Sequence, residues 1–221
     1  MKQRIGLVLA AAALAMAAIF FFRSPKESPT PSAPIGDSPE PALSLETFVL
    51  LADRDVSLVK RFGKVLRGSE LDVGFRTFTI GTEDYNTALH FTFPDDLKDK
   101  PIQSAVLKLY YFDAWGSFSN RVIIAHRVTE NWSESNVRFT IGRDAAFATN
   151  IVGGREARWI SWDATAVARF WAAHPAENFG VLLVPEPTGL NDNSFRFAST
   201  RTTNLSFYPA LEITCSNSVP R

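Results

Sequence analysis

Arginine and aromatic residues alternate through the stretch from Arg121 to Trp171, and these types together suit the binding of acidic sugars. The guanidinium group of arginine is a planar fork of donors that binds a carboxylate through two hydrogen bonds. Uronic-acid polysaccharides carry such carboxylates on every acidic ring. Acidic residues in the same stretch weaken its positive field. We take three arginines of this stretch as candidate ligand-binding residues: Arg127, Arg138 and Arg143.

The densest positive cluster of the chain lies earlier, within residues 56–67. It consists of Lys60, Arg61, Lys64 and Arg67. The apolar residues around it have helix-like spacing that Gly63 interrupts, so an irregular segment is predicted. Such a cluster is either a solvated loop or a contact surface for an acidic polymer. We include its cations among the candidate ligand-binding residues.

Trp115 is the aromatic residue that we expect to be most exposed. It lies between Asp113 and Gly116, where a loop is predicted after a strand. An exposed tryptophan can stack on a sugar ring, so Trp115 completes the set of candidate ligand-binding residues. Trp132 and Trp162 lie at predicted strand ends, and we expect both to pack in the core.

No combination of residues in the sequence indicates an enzyme. Glu130 and Glu134 flank Trp132 and could form the carboxylate pair of a glycosidase, but capping or solvated acids are the simpler interpretation. The sequence contains no HExxH motif and no CxxC motif. His126 lies in an apolar strand, where a hydrogen-bonded core histidine is more common than a metal ligand. We therefore expect neither catalysis nor a cofactor.

Two polar triplets could supply oxygen ligands to calcium. They are Asp53-Arg54-Asp55 and Asn191-Asp192-Asn193. Neither has the ligand spacing of an EF-hand loop, so calcium binding is an alternative without further support.

The composition of the chain limits the kinds of partner that it is expected to bind. The chain has 221 residues, with 23 basic and 23 acidic side chains and a net charge of zero. This balance argues against a nucleic-acid partner, which requires a basic surface. Cys215 is the single cysteine, so no intrachain disulfide can form and the fold must rest on its apolar core.

The N-terminus carries an apolar run from Ile5 to Phe22, after Lys2 and Arg4. As a helix, such a run spans about 27 Å, close to the hydrocarbon thickness of a bilayer. Residues 1–23 are predicted to be an apolar helix that acts as a signal-anchor or, alternatively, as a cleaved signal peptide. Residues 24–43 are rich in proline and predict an extended linker. Residues 44–221 are therefore expected outside the cytoplasm, either anchored to the membrane or secreted.

The pattern of residues 44–221 predicts one all-β domain. Apolar and polar residues alternate in residues 85–93 and 104–112, which is typical of strands buried on one face. His90 falls on the polar side of its strand and is expected at the surface. A short helix is predicted from Asp163, as its N-cap, to Trp171. Many short strands with one short helix predict an antiparallel β-sandwich.

Six sequence blocks follow one another across about residues 76–214. They are Phe91-Thr-Phe93, Ile102-Gln-Ser-Ala-Val-Leu-Lys-Leu-Tyr110, His126-Arg-Val-Thr-Glu-Asn-Trp-Ser-Glu-Ser-Asn-Val137, Ser161-Trp-Asp-Ala-Thr165, Asn178-Phe-Gly-Val-Leu182 and Pro209-Ala-Leu-Glu-Ile213. In this order they resemble the DNRLRE-type domain, which is also grouped with family 96 of carbohydrate-binding modules. The resemblance implies a jelly-roll-like β-sandwich that is extracytoplasmic and non-catalytic. It also implies carbohydrate as the ligand, because some members bind acidic polysaccharides such as alginate.

The sequence departs from this family in three places. The family's Leu-Arg-Phe strand reads Leu89-His90-Phe91 here. The opening strand block of the family is missing or altered between Ala52 and Gly74, and the family's Ser-Arg-Glu near the end reads Ser199-Thr200-Arg201 here. Two functions are expected. The first is a membrane-tethered, extracytoplasmic module that binds a polysaccharide containing uronic acid. The alternative is a structural or protein-interaction domain of the cell envelope that binds no glycan.

Overall fold

A computed structural model describes residues 44–187 and 192–217 of the chain. The predicted N-terminal helix (residues 1–23), the predicted linker (24–43) and residue 191 of the second polar triplet lie outside these described residues. Within the described part of the chain, no helix is both long enough and apolar enough to cross a membrane.

The described residues form twelve strands and one α-helix. The strands are β1 (Ser44–Leu51), β2 (Arg54–Val59), β3 (Lys64–Leu66), β4 (Glu70–Phe78), β5 (Gly81–His90), β6 (Ile102–Gly116), β7 (Arg121–Val128), β8 (Arg143–Val152), β9 (Arg158–Asp163), β10 (Val181–Pro185), β11 (Asn193–Ala198) and β12 (Ala210–Asn217). The helix is α1 (Thr165–Ala173), and short 3₁₀ turns span Arg61–Gly63, Asp95–Leu97, Pro175–Glu177 and Leu205–Phe207.

All strands join in one antiparallel sheet that curls on itself. The order of neighbours is β1-β12-β6-β11-β4-β5-β10-β7-β8; β2 also pairs with β5 and with β3, and β9 pairs with β6. The long strands β5 and β6 each pair with three others, so they pass from one wall of the curled sheet to the other. The predicted all-β, antiparallel and sandwich-like fold is confirmed, and the jelly-roll description stays a prediction.

Strand β6 shows why the two faces of the sheet differ. Successive side chains of a strand point to opposite faces. Leu107, Leu109 and Tyr111 are buried in the main core, whereas Lys108 and Tyr110 are only half-buried on the outer face. Helix α1 packs against β6, and its buried residues are Val167, Ala168 and Trp171.

A second, smaller core lies apart from the main one. It contains Val56, Leu58, Ala88, Val128, Trp132, Val137, Ile141 and Leu182. Strands β2, β5, β7 and β10 therefore present apolar side chains to the segment 129–142, which we call the 129–142 loop. This second core is what holds the loop on the domain.

The structure corrects three predictions. The irregular segment predicted within residues 56–67 is a hairpin of β2 and β3, in which Leu58 pairs with Val65. Gly63 lies in the turn with a φ of 57°, a conformation that glycine adopts without strain. The N-cap of α1 is Ala164, although Asp163 still accepts a hydrogen bond from the Thr165 N–H at 2.9 Å.

His90 is the third correction, because it is buried and not at the surface. Its Nδ1 lies 2.6 Å from Asp53 Oδ1, and its Nε2 lies 3.2 Å from the carbonyl oxygen of Asn178. Strand β2 pairs with β5 on one side and β10 pairs with it on the other, so β5 is a central strand. The face that carries His90 is covered because Asp53 and Asn178 contact the imidazole ring and Ala88 of the same face packs in the second core.

Candidate functional site

The 129–142 loop is closed at its base by hydrogen bonds between its two ends. The Thr129 N–H donates to the carbonyl oxygen of Gly142 at 3.0 Å, and the Gly142 N–H donates to Glu130 Oε1 at 2.6 Å. In the middle, the Ser133 N–H donates to Asn136 Oδ1 at 2.7 Å, which fixes a turn. The loop therefore has a defined shape.

Trp132 anchors this loop in the second core. Its side chain is 3% exposed, and its indole N–H donates to the carbonyl oxygen of Phe179 at 2.7 Å. The guanidinium carbon of Arg54 lies 5.1 Å from the ring centroid. Trp162 is buried in the main core. The prediction that Trp132 and Trp162 are core residues is confirmed.

Two adjoining depressions lie along the outside of the loop. One has a volume of about 460 Å³ and is lined by Glu130, Asn131, Trp132, Asn136, Val137, Arg138, Thr140 and Ile141. The other, of about 440 Å³, is lined by Lys60, Gly63, Arg138, Phe139 and Thr140. Because they share Arg138 and Thr140, we treat them as one site and call it the Arg138 groove.

Arg138 is the most available cation of this groove. Its side chain is exposed and has no ion-pair partner within residues 44–187 and 192–217. Lys60, on the opposite rim, is paired with Asp84 at 2.9 Å. The carboxylate of Glu130 is held by the Gly142 N–H. The groove thus combines an unpaired guanidinium with the amides of asparagines and a hydroxyl group, which can bond the carboxylates and hydroxyls of a sugar.

The other cations of the basic hairpin lie outside the groove. Arg67, which directly follows β3, donates from Nε to the carbonyl oxygen of Glu134 at 3.1 Å and so fastens the 129–142 loop to the end of the β2–β3 hairpin. Arg61 extends toward Gly81, at the turn between β4 and β5. Lys64 is exposed on β3. Of the predicted hairpin cations, Lys60 alone lines the Arg138 groove.

Arg127 and Arg143 lie at a different place, on β7 and β8. Arg127 donates from Nε to Asp144 Oδ2 at 2.8 Å, lies 3.5 Å from Glu177 Oε2, and stacks 4.0 Å from the ring centroid of Phe170. It lines an open cleft of about 550 Å³ between β8 and α1. Arg143 is exposed at the start of β8. The charge of Arg127 is already neutralised, so this cleft offers little to an acidic ligand.

His126 lies beside this cleft and is satisfied by the protein itself. Its Nδ1–H donates to the carbonyl oxygen of Asp144 at 2.9 Å. Burial lowers the pKa of His126, and the nearby charge of Arg143 also lowers it. The hydrogen bond to Asp144 raises this pKa but does not offset the other two effects. The predicted hydrogen bonding of His126 is confirmed, but its side chain is half-buried and not in the core.

Trp115 lies on the outer face of the sheet and not in the Arg138 groove. Its ring centroid is 5.5 Å from that of Phe78 and 5.9 Å from the guanidinium carbon of Arg76. It is half-buried, whereas Trp159 is 39% exposed. The prediction that Trp115 is the most exposed aromatic residue is therefore wrong, because the β4–β5 hairpin covers it.

The carboxylates that could have served catalysis or calcium have structural partners. Glu134 is bonded by Arg201, and Arg201 also bonds the fully buried Asp55. Asp53 is bonded by His90 and Thr92. In the second triplet, Asp192 Oδ1 accepts from the Thr77 N–H at 2.6 Å, and Asn193 Oδ1 accepts from Arg121 Nε at 2.6 Å. Among the described residues, no group of three or more His, Cys, Asp or Glu side chains could hold a metal ion.

Several groove residues have no signal in the sequence. Asn131, Asn136 and Thr140 line the groove but carry no motif of their own, since polar residues are common in any loop. The clasp formed by Asp55, Glu134 and Arg201 joins residues that are far apart along the chain.

The chain was compared with known protein families and with curated proteins. A family model described as carbohydrate-binding module family 96 matches residues 70–215, which is about two thirds of the chain. No curated protein matches. The matched range includes the 129–142 loop and starts after the β2–β3 hairpin.

Proposed function

Because the chain belongs to carbohydrate-binding module family 96, we propose that it is a non-catalytic module whose Arg138 groove binds an acidic polysaccharide, such as one that contains uronic acid. The observation that carries this proposal is the exposed guanidinium of Arg138 at the junction of the two depressions. An unpaired guanidinium can bind a ligand carboxylate without first giving up a protein carboxylate.

The second cation of the groove supports the same class of ligand. Lys60 and Arg138 line the same depression, together with the half-buried ring of Phe139. The ion pair between Lys60 and Asp84 is largely solvent-exposed on the lysine side, so it is weak and can be exchanged. An acidic chain that lies along the groove meets positive charge on both rims.

The hydrogen bonds of Glu130 and Glu134 support the proposal that the module is non-catalytic. Glu130 bonds the base of the loop, and Glu134 is bonded by Arg201. A glycosidase requires carboxyl groups that face the scissile bond. These two carboxylates instead shape the loop, and releasing either would disrupt the groove.

The location outside the cytoplasm and the tether to the membrane belong to the same proposal. They rest on the apolar run from Ile5 to Phe22 and on the proline-rich residues 24–43. A module on such a tether would hold a polysaccharide near the cell surface. Proteolytic accessibility of the domain in intact cells, compared with lysed cells, tests this placement.

Affinity electrophoresis of the full chain tests the ligand. We expect gels that contain alginate or polygalacturonate to retard the chain, and Arg138→Ala to reduce this retardation. Arg155→Ala is the matched control, because it removes the same charge from an exposed position outside the groove. Equal retardation of the two variants would refute the role of Arg138. Unchanged mobility of the wild-type chain in every acidic gel would refute the ligand.

A structural or interaction domain is the second candidate function, and the edge strand β1 favours it. Leu45, Val49 and Leu51 are exposed along this strand, which pairs with β12 on one side. Apolar edge strands are surfaces on which another protein can pair. A pull-down from envelope extract that recovers one stoichiometric protein with the wild-type chain, and loses it with Val49→Lys, would favour this function.

A further inference from the structure

The outer face of β6 carries a row of aromatic side chains outside the Arg138 groove. Tyr110, Phe112 and Trp115 come from β6 itself, Trp159 from β9, and Phe207 from the turn before β12. We call these five residues the β6 strip. Alternation along β6 sends Leu109 and Tyr111 into the core, and this places Tyr110 on the opposite face.

The centre of the strip is a packed aromatic cluster. Tyr110 and Phe207 stack with their ring centroids 3.9 Å apart and an interplanar angle of 5°. Tyr110 pairs with Trp159 across β6 and β9, and their centroids are 5.5 Å apart at an angle of 68°. Trp159 is 39% exposed in spite of these contacts. A tryptophan that is held in place by neighbours and still open to solvent is a preformed surface for stacking.

A β-bulge keeps the strip on one face. The register between β11 and β6 shifts after Tyr111, so that Arg196 pairs with Asp113 and Ser194 pairs with Trp115. Without the shift, simple alternation from Tyr111 would leave Trp115 directed at the core. Bulges re-aim side chains in this way. The bulge thus extends the aromatic row along β6 from Tyr110 to Trp115.

A small groove lies beside the stacked pair. It has a volume of about 260 Å³, and its lining includes Tyr110, Phe112, Phe207, Glu70 and Thr202. Aromatic rings therefore form one wall, while a carboxylate and a hydroxyl group lie within the same groove. Sugar-binding sites need both features, since a sugar ring has apolar C–H faces and a polar edge of hydroxyl groups.

The charges along the strip are paired with one another. Lys108 Nζ lies 2.8 Å from Glu212 Oε1, and Arg196 is paired with Glu70 at 3.3 Å and with Asp113. The cations of the strip are thus matched by carboxylates of the protein. An anionic ligand would have to displace these carboxylates, whereas the hydroxyl groups of a neutral sugar can bond to the pairs as they stand.

We infer that the β6 strip is a second carbohydrate-binding site, and that its ligand is an extended neutral polysaccharide. A sugar face stacks on the exposed ring of Trp159, and the hydroxyl groups bond to the flanking ion pairs. This site differs from the Arg138 groove in its charge balance and shares no residue with it. It does not depend on the proposed acidic ligand.

Affinity electrophoresis of the full chain tests this inference with hydroxyethylcellulose, galactomannan and arabinoxylan as neutral probes. We expect at least one of these gels to retard the wild-type chain. Trp159→Ala should weaken that binding about tenfold, as for other anchoring tryptophans, and Trp159→Phe should restore part of it. Ile151→Ala, which removes an exposed apolar side chain from β8, is the matched control and should bind as the wild type does.

Three results would overturn the inference. They are unchanged mobility of the wild-type chain in all three neutral gels, neutral binding that survives Trp159→Ala, and neutral binding that is lost with Arg138→Ala. Sedimentation velocity tests whether a second copy of the chain occupies the β6 strip. A dimer that dissociates with Trp159→Ala would also overturn the inference, because the strip would then be a contact between copies. Alginate gels run in parallel report on the Arg138 groove, so failure at one site is distinguishable from failure at the other.

Discussion

Replacing Arg201 with methionine tests how the 129–142 loop is held on the domain. The guanidinium of Arg201 donates to the backbone carbonyl oxygen of Asp55 at 2.8 Å and to the carboxylate of Asp55, and its other amino group bonds the carboxylate of Glu134. Asp55 is fully buried on β2. Arg201 therefore joins a core strand to the loop that forms the Arg138 groove.

The magnitude follows from the burial of the two partners. Removing one partner of a buried ion pair typically costs about 3–5 kcal/mol, because the other charge is left uncompensated. The cost here is smaller, because 31% of the Arg201 side chain is exposed. Asp55 also keeps two other donors, the Ser199 hydroxyl at 3.0 Å and the Thr200 N–H at 2.6 Å. We expect a loss of about 2 kcal/mol, which corresponds to a fall in Tm of roughly 4–8 °C for a domain of this size.

Thermal and urea unfolding, followed by circular dichroism, measure this loss. Arg155→Met is the matched control; it removes an exposed arginine that lies 4.5 Å from the Phe118 ring centroid, and it should cost less than about 0.5 kcal/mol. The double variant Asp55→Asn/Arg201→Met should lose less than the sum of the single variants, because the two side chains interact directly. If Arg201→Met and Arg155→Met unfold alike, the reasoning about this clasp is wrong.

Three further changes probe other parts of the structure. Trp132→Phe removes the hydrogen bond to the Phe179 carbonyl oxygen and should cost about 1–3 kcal/mol in urea unfolding, with Trp159→Phe as a control that should be nearly neutral. Gly180→Ala places a methyl group 2.0 Å from the Leu89 carbonyl oxygen at a φ of +89° and should cost at least about 2 kcal/mol. Gly68→Ala should not, because its methyl group meets only the Glu70 nitrogen, at an ordinary van der Waals distance of 3.9 Å. Burial alone would raise the pKa of Asp53, but hydrogen bonds from His90 and Thr92, with the charges of His90 and Arg54, hold this pKa below its ordinary value. The stability that Asp53 contributes is therefore present above about pH 4 and is lost as pH falls further. Between pH 6 and pH 3, the urea midpoint of Asp53→Asn should therefore fall less than that of the wild-type chain.

The parts of the fold that depend on local pattern could be predicted from the sequence. The alternation of Lys108 and Tyr110 with Leu107 and Leu109 marks β6 as a strand with one buried face, and the structure has this strand. His90 shows where local pattern stops being sufficient. Its polar neighbours place it on an outer face, but Asp53 and Asn178 contact its ring and Ala88 of the same face packs in the second core. These long-range contacts have no local signal in the sequence.

The candidate site could be predicted only in its residue types. Arg127 and Arg138 look equivalent in the sequence, yet Asp144 neutralises Arg127, while Arg138 has no ion-pair partner in the described part of the chain. Asp144 comes from β8, and its contact with Arg127 depends on the register between β7 and β8. Which cation is available to a ligand is therefore a property of the folded sheet.

The residues that complete the Arg138 groove lie partly outside the range that the family model matches. That range begins at residue 70, whereas Lys60, Asp55 and Arg67 belong to the preceding hairpin strands and their connections. Lys60 forms one rim of the groove, Asp55 holds Arg201, and Arg67 fastens the loop. The range matched by the family model therefore contains the 129–142 loop. The preceding hairpin contributes Lys60 to the groove, and Asp55 and Arg67 to the contacts that hold the loop. On the proposed function, both parts would set the ligand preference of the groove, so it must be measured on a chain that retains residues 44–69.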